Sequence, residues 1–299
     1  MSTANVSREA AADLVAVPRR ARKSVLRRFS RHKLGLLGLI ILVTFALLAI
    51  AAPLVSWHHP NYVNVTLVRN PPSWSHILGT DSAGRDVWAR ILFAGRISLT
   101  VAAGAMAITV VLGIGIGLIS GYAGGWVDNV LMRFTELVMT FPTLFALIIL
   151  VSLIGPNVFN LMIIIGLLGW TGKARLVRGQ VLAGREMDYV TAAQALGAGP
   201  WRISLAHILP SVIPFVVVSA TLSLASVILT ESSLSFIGLG IRIPTATWGN
   251  MMSGAQSLYL LQHQPWIWAP PGVAIATTVI AVNFVGDGLR DALDPRYQI

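Results

Sequence analysis

Six long stretches almost free of charge decide what this chain can fold into: residues 34–55, 97–120, 129–153, 158–171, 211–230 and 266–285. About 20 apolar residues make a helix long enough to cross the roughly 30 Å hydrocarbon core of a bilayer. The expected fold is therefore all-α: a polytopic membrane protein with six transmembrane helices. Composition agrees, since only 11% of the residues are charged where a soluble chain carries about 25%. The stretch 158–171 is short for a span and is expected to continue past these limits. Trp57, Trp126, Trp170, Trp201, Trp266 and Trp268 lie near the ends of the stretches, as an interfacial aromatic belt requires.

The net charge of +10 would suit a nucleic-acid binder, but the placement of Lys and Arg gives it another meaning, and no nucleic acid is expected as a partner. Nine of the 22 basic residues precede the first stretch, and five lie between Lys173 and Arg202. Six crossings put Arg133, Arg290 and Arg296 on that same side and leave Arg69, Arg85, Arg90, Arg96 and Arg242 on the other. The positive-inside rule then places both termini and the 173–210 loop in the cytosol. The chain divides into a basic cytosolic tail (1–33), a first transmembrane helix (34–55), an external segment (56–96) and a five-helix core (97–299) with a cytosolic loop at 173–210. The tail is the candidate contact for anionic membrane lipid. Ala49-Ile50-Ala51 after a basic, apolar run raises the possibility of a cleaved signal peptide, but the long leader and long apolar run favour a retained anchor.

Residues 188–210, DYVTAAQALGAGPWRISLAHILP, read as helix, break, helix. Ala192, Ala193 and Leu196 are good helix formers. Gly197 and Gly199 then favour a helix end, and Pro200 suits the first turn of a new one. A compact piece held between two spans, with small side chains that admit a close partner, is a candidate mechanical coupling element rather than an active site. Asp188, Tyr189, Thr191, Ala192, Ala193, Leu196 and Gly197 are its candidate contact residues.

In the external segment, Asp81 is placed to cap a turn and Gly84 to relieve the backbone. The alternation of apolar and basic residues that follows, as far as Arg96, predicts an amphipathic element on the outer membrane surface. Gly113, Gly117 and Gly121 form a small-xxx-small ridge, which predicts close helix packing. Gly172-Lys173 does not complete a phosphate-binding P-loop: the glycine spacing is wrong, and Ala174 stands where a magnesium-binding hydroxyl belongs. No cofactor site is expected on the chain. Arg133 and Glu136, spaced i, i+3, predict a structural ion pair. Glu231 is an intramembrane acid and so a candidate pathway residue able to sense the charged end of a peptide, with a packing or gating role as the alternative. Asn283 either lines the pathway or bonds a neighbouring helix. The six histidines are dispersed and there is no cysteine, so no metal site is expected; His58 and His59 are adjacent, with no partner at ligand spacing.

Several of these stretches resemble one family. Ala192, Ala193, Gly197, Leu209 and Pro210 match in register the EAA loop of bacterial ABC importer permeases, with Thr191 in place of its Glu and His207 in place of its Ile. Residues 79–86, GTDSAGRD, resemble the GTDxxGRD segment of the second permease subunit of dipeptide and oligopeptide importers. Residues 121–128, 230–240 and 284–296 resemble three further signatures of that subunit. The resemblance implies half of a translocation pore in the bacterial inner membrane, completed by a homologous second permease. It also implies two cytosolic ATPase domains, holding ATP and Mg²⁺, that grip 188–198, and an extracytoplasmic substrate-binding protein that delivers a peptide. Catalysis would belong to the ATPase subunits. Nickel or another small solute is the alternative cargo. A secondary transporter or channel working alone is the rival class, and would call for paired broken helices or midplane charges.

Overall fold

The computed structural model describes residues 25–293. Most of the basic tail expected to bind lipid, and residues 294–296 of the C-terminal signature, lie outside the described residues. The framework consists of α1 (Lys33–Ile50), α2 (Val87–Ala123), α3 (Gly125–Thr140), α4 (Thr143–Ile154), α5 (Val158–Arg185), α6 (Asp188–Ala195), α7 (Pro200–Phe236) and α8 (Pro265–Leu293). Short helical turns and loops join them. Among the described residues no strand forms, only an isolated antiparallel bridge between Thr80 and Asp86.

Five helices (α1, α2, α5, α7 and α8) are long and apolar enough to cross a membrane, and α3 with α4 make a sixth if that bent pair is one span. The expected straight span at 129–153 is instead two helices meeting at 84°. Pro142 explains the break: it has no N–H to donate, and it disfavours helical geometry at Phe141, which is extended at ψ 128°. Helices α2 and α7 are 37 residues each, about 55 Å at 1.5 Å per residue, so both overrun a 30 Å core. Hydropathy detects only their apolar middles. The stretch that began at 158 continues to Arg185, 28 residues in all.

Residues 87–96 do not form a separate surface element. They open α2, with Val87, Ala89, Arg90, Leu92, Ala94 and Gly95 buried. The apparent alternation of apolar and basic residues is the first turns of a helix packed on one side.

The small-residue ridge sets the closest helix pair. A Cβ on Gly113 would lie 2.4 Å from the Lys173 Cβ, one on Gly117 2.6 Å from the Ala174 carbonyl oxygen, and one on Gly121 2.8 Å from the Val181 Cβ. Helix α5 thus lies against the bare backbone of α2, and only glycine permits that approach. Elsewhere α1 packs on α8, and α7 packs on α2, α5 and α8.

Within α7, residues Ile203–Ile208 form a π-helical turn. The Leu209 N–H donates five residues back, to the Ser204 carbonyl, and Pro210 after it has no N–H to give the Ala206 carbonyl.

Candidate coupling site

Helix α6 is eight residues long and ends in a Schellman motif. The Gly197 N–H donates to the Gln194 carbonyl (2.9 Å) and the Ala198 N–H to the Ala193 carbonyl (3.0 Å). This closure needs a left-handed residue at Gly197, which sits at φ +80°, a conformation open to glycine at little cost. Pro200 then begins α7. The predicted helix, break and helix are all present.

One side chain anchors α6. Val190 is fully buried, in a cluster with Val177 and Val181 of α5 and Ile203, Ile208 and Val212 of α7. Asp188, Thr191, Ala192 and Gly197 are exposed and Ala193 is half-buried. Tyr189 is 47% and Leu196 89% exposed, and Trp201 beside them is 68% exposed. Together they leave an exposed apolar patch on a polar connecting loop, the kind of surface that contacts another protein, a membrane or a ligand. The side chain that matters most for holding this surface, Val190, was not legible as the anchor, because Val alone in a polar run does not announce which way it points.

Polar ties brace the surrounding helices. Arg178 of α5 donates to both oxygens of Asp128 on α3, Nε to Oδ1 and Nη2 to Oδ2, each at 2.6 Å. Ser120 at the end of α2 donates to the same carboxylate. Lys173 is buried, and its ammonium donates to the Ser219 carbonyl (2.7 Å), Ser219 Oγ (2.6 Å) and Ser223 Oγ (2.6 Å) on α7. Those bonds use all three of its donors, so Lys173 serves the α5–α7 contact. Arg133 Nη1 and Glu136 Oε2 form the expected surface pair at 2.9 Å.

The two candidate pathway residues diverge. Glu231 is fully buried within the chain. Its carboxylate accepts from Ser98 Oγ of α2 (3.1 Å) and Ser235 Oγ (2.8 Å), while Ser98 Oγ also accepts from the Trp248 N–H at 3.3 Å. Glu231 therefore ties α7 to α2 and to the turn that starts at Trp248, and faces no open space here. Asn283 is exposed on α8, between the buried Val282 and Val285 in sequence.

At the opposite end, residues 79–86 prove architectural. Asp81 Oδ1 accepts from the Ala83 and Arg85 N–H groups (2.8 and 3.0 Å), and Oδ2 accepts from Arg85 Nε at 2.7 Å. Arg90 Nε lies 3.4 Å from the same carboxylate oxygen. Gly84 is at φ +74°, and a Cβ there would strike the Asn64 carbonyl oxygen. Asp86 caps α2 by accepting from the Ala89 N–H at 2.7 Å. The histidines depart from expectation: the fold brings His58 and His76 together beside Asp86.

Comparison with known proteins gives consistent results. The family described as binding-protein-dependent transport system inner membrane component matches residues 113–299. The N-terminal transmembrane domain of oligopeptide transport permease C matches residues 22–72. The oligopeptide transport system permease protein OppC of Bacillus subtilis is 38% identical over 274 residues, 92% of this chain and 89% of that protein. The OppC of Haemophilus influenzae is 40% identical over 275 residues, 90% of this chain and 87% of its own. The dipeptide transport system permease protein DppC of Alkalihalophilus pseudofirmus is 36% identical over 274 residues, 92% and 90% of the two chains.

Proposed function

The chain belongs to the binding-protein-dependent transport system inner membrane component family, and on that footing we propose that it forms half of the translocation pathway of an ATP-driven dipeptide or oligopeptide importer. A homologous permease completes the pore. Two ATPase domains, which hold ATP and Mg²⁺, seat against α6, and an extracytoplasmic binding protein delivers the peptide at the end that carries residues 56–86. Both termini and α6 face the cytosol. The relatives' names, oligopeptide and dipeptide transport, favour peptide over nickel as cargo.

The observation that carries this reading is α6 itself: a helix stopped at both ends, anchored by Val190 alone, with Tyr189 and Leu196 left exposed. Motion of a partner seated there passes to α5 and α7 through the valine–isoleucine cluster around Val190. Because α2 and α5 meet backbone to side chain along the glycine ridge, they shift as a unit. ATP-driven closure of the ATPases would then rock the helices and alternate the pore between its two sides. Glu231, bonded inside the chain, has a tying role in this scheme. Asn283, a polar group on the outer surface of a membrane helix, faces the second permease or the pathway, since contact with lipid is unfavourable.

The test is purification of the chain from its own membrane under mild conditions, followed by an ATPase assay. A second permease and ATPase subunits should co-purify, with hydrolysis stimulated by peptide-loaded binding protein. Peptide uptake that survives deletion of every associated ATPase subunit would overturn the importer reading.

A further inference from the structure

Three metal-ligating side chains far apart in sequence converge just outside the membrane-spanning helices. His58 lies in the segment that follows α1, His76 in the loop before the Asp81 turn, and Asp86 at the N-cap of α2. One ligand atom from each lies within 4.8 Å of the other two. His76 Nδ1 is 2.7 Å from Asp86 Oδ2, and His58 Nδ1 is 3.9 Å from the same oxygen. The two imidazoles overlap at 4.6 Å between ring centroids, tilted by 30°.

Capping α2 explains Asp86, and a hydrogen bond to that cap explains His76. Neither explains His58, which lies beyond hydrogen-bonding distance of the carboxylate and still points a ring nitrogen at it. We propose that His58, His76 and Asp86 form a site for a divalent transition-metal ion. Two imidazole nitrogens and a carboxylate oxygen are a donor set suited to Zn²⁺, with a fourth position left for water. Tetrahedral zinc with bonds near 2.0–2.1 Å holds its ligand atoms about 3.3 Å apart. The present separations bracket that value, so closing the site takes small side-chain shifts.

Two features show that the site is built. A cavity of about 160 Å³ adjoins it, bordered by Tyr62 and Asn64 as well as the three ligands, which gives room for a water ligand. The second oxygen of Asp86 is fixed by the Ala89 N–H at 2.7 Å, an outer contact of the kind that orients a metal-binding carboxylate. The side chain of Asp86 is 4% exposed, that of His76 11% and that of His58 36%, so the ion enters from the His58 side. Bound there, it would join the segment after α1 to the start of α2. The proposal does not depend on what the protein transports.

The test uses the full chain, purified with a tag free of histidine, stripped with a chelator and placed in lipid nanodiscs. Titration with Zn²⁺ alone should give one ion per chain, with X-ray absorption showing nitrogen and oxygen neighbours at about 2.0–2.1 Å, including imidazole. His58→Ala should weaken binding by about tenfold or more, and His263→Ala, on an exposed turn elsewhere, should leave it unchanged. His58→Ala is the deciding variant, because His76→Ala also loosens the cap of α2. Absence of stoichiometric zinc, or wild-type affinity in His58→Ala, overturns the site.

Discussion

Arg178 and Asp128 meet fork to fork, two parallel hydrogen bonds of 2.6 Å joining α5 to the first turn of α3. The pair sits near the end of the bundle that carries α6 and is only partly shielded, with the Arg178 side chain 33% exposed. Solvent reduces what such a pair contributes. A double-mutant cycle of Asp128→Ala and Arg178→Ala, read by thermal unfolding in detergent, should give a coupling of about 1–2 kcal/mol. Arg178→Lys should behave much like Arg178→Ala, because lysine cannot present two parallel donors. Additive single-variant effects would show the pair to be idle.

The α2–α5 contact separates glycines by position. Gly117→Ala drives a methyl toward the Ala174 carbonyl at 2.6 Å, whereas nothing lies within 4 Å of a Cβ on Gly115. Gly117→Ala should destabilise the protein by about 1–3 kcal/mol, as overpacking does. Gly115→Ala should be neutral or slightly stabilising, since alanine is the better helix former. Equal melting temperatures for the two variants would remove the ridge as the determinant of this contact.

Gly197 has open space around it and a left-handed backbone. Gly197→Ala is therefore expected to cost about 1–2 kcal/mol through backbone conformation alone, fraying the end of α6. Gly197→Asn should cost less, because asparagine tolerates that region. Gly197→Arg adds a long side chain on the partner-facing surface, and should leave the chain inserted while uncoupling peptide uptake from ATP hydrolysis. Uptake assays normalised to the amount of inserted protein check the series, and normal uptake by Gly197→Arg would count against α6 as the docking element.

Glu231 offers a way to tell a tie from a charged gate. Glu231→Gln keeps an acceptor for Ser98 and Ser235, whose hydroxyls lie 3.1 and 2.8 Å from the carboxylate. Transport should stay near wild type in that variant. Glu231→Ala leaves the buried hydroxyls without their acceptor, a loss of about 1–3 kcal/mol, and should lower both thermal stability and the yield of folded protein. A well-folded Glu231→Gln protein that cannot transport would show that the charge itself is required.

Local pattern made much of this molecule legible. The Asp81 turn, the positive φ of Gly84 and the Gly197 helix end follow from short-range backbone chemistry, and the Gly113–Gly117–Gly121 ridge follows from helical spacing. The misses share a different cause. Alternation at 87–96 resembled a surface element because burial on one side of a helix is invisible until its neighbour is placed. His58, His76 and Asp86 are separated by 18 and 10 residues and meet only once the loop folds back on the cap of α2. The pairing of Lys173 with Ser219 and Ser223 likewise depends on how two long helices cross, which no local spacing records.

The bend between α3 and α4 has a consequence for which way the molecule faces in its membrane. The shorter arm, 12 residues, reaches about 18 Å, so the corner at Phe141 and Pro142 falls within the hydrocarbon if the two arms cross as one span. Thr140 Oγ1 donates to the Glu136 carbonyl at 3.0 Å, yet the last carbonyls of α3 have lost their intrahelical donors. Hydrocarbon offers no replacement, and interrupted backbone at that depth persists only against protein or water. For arms that cross as one span, the corner would act as a compass: the flank that shows Phe141 and Phe145, 61% and 63% exposed within this chain, would be turned away from lipid, toward a partner chain or a water-filled path.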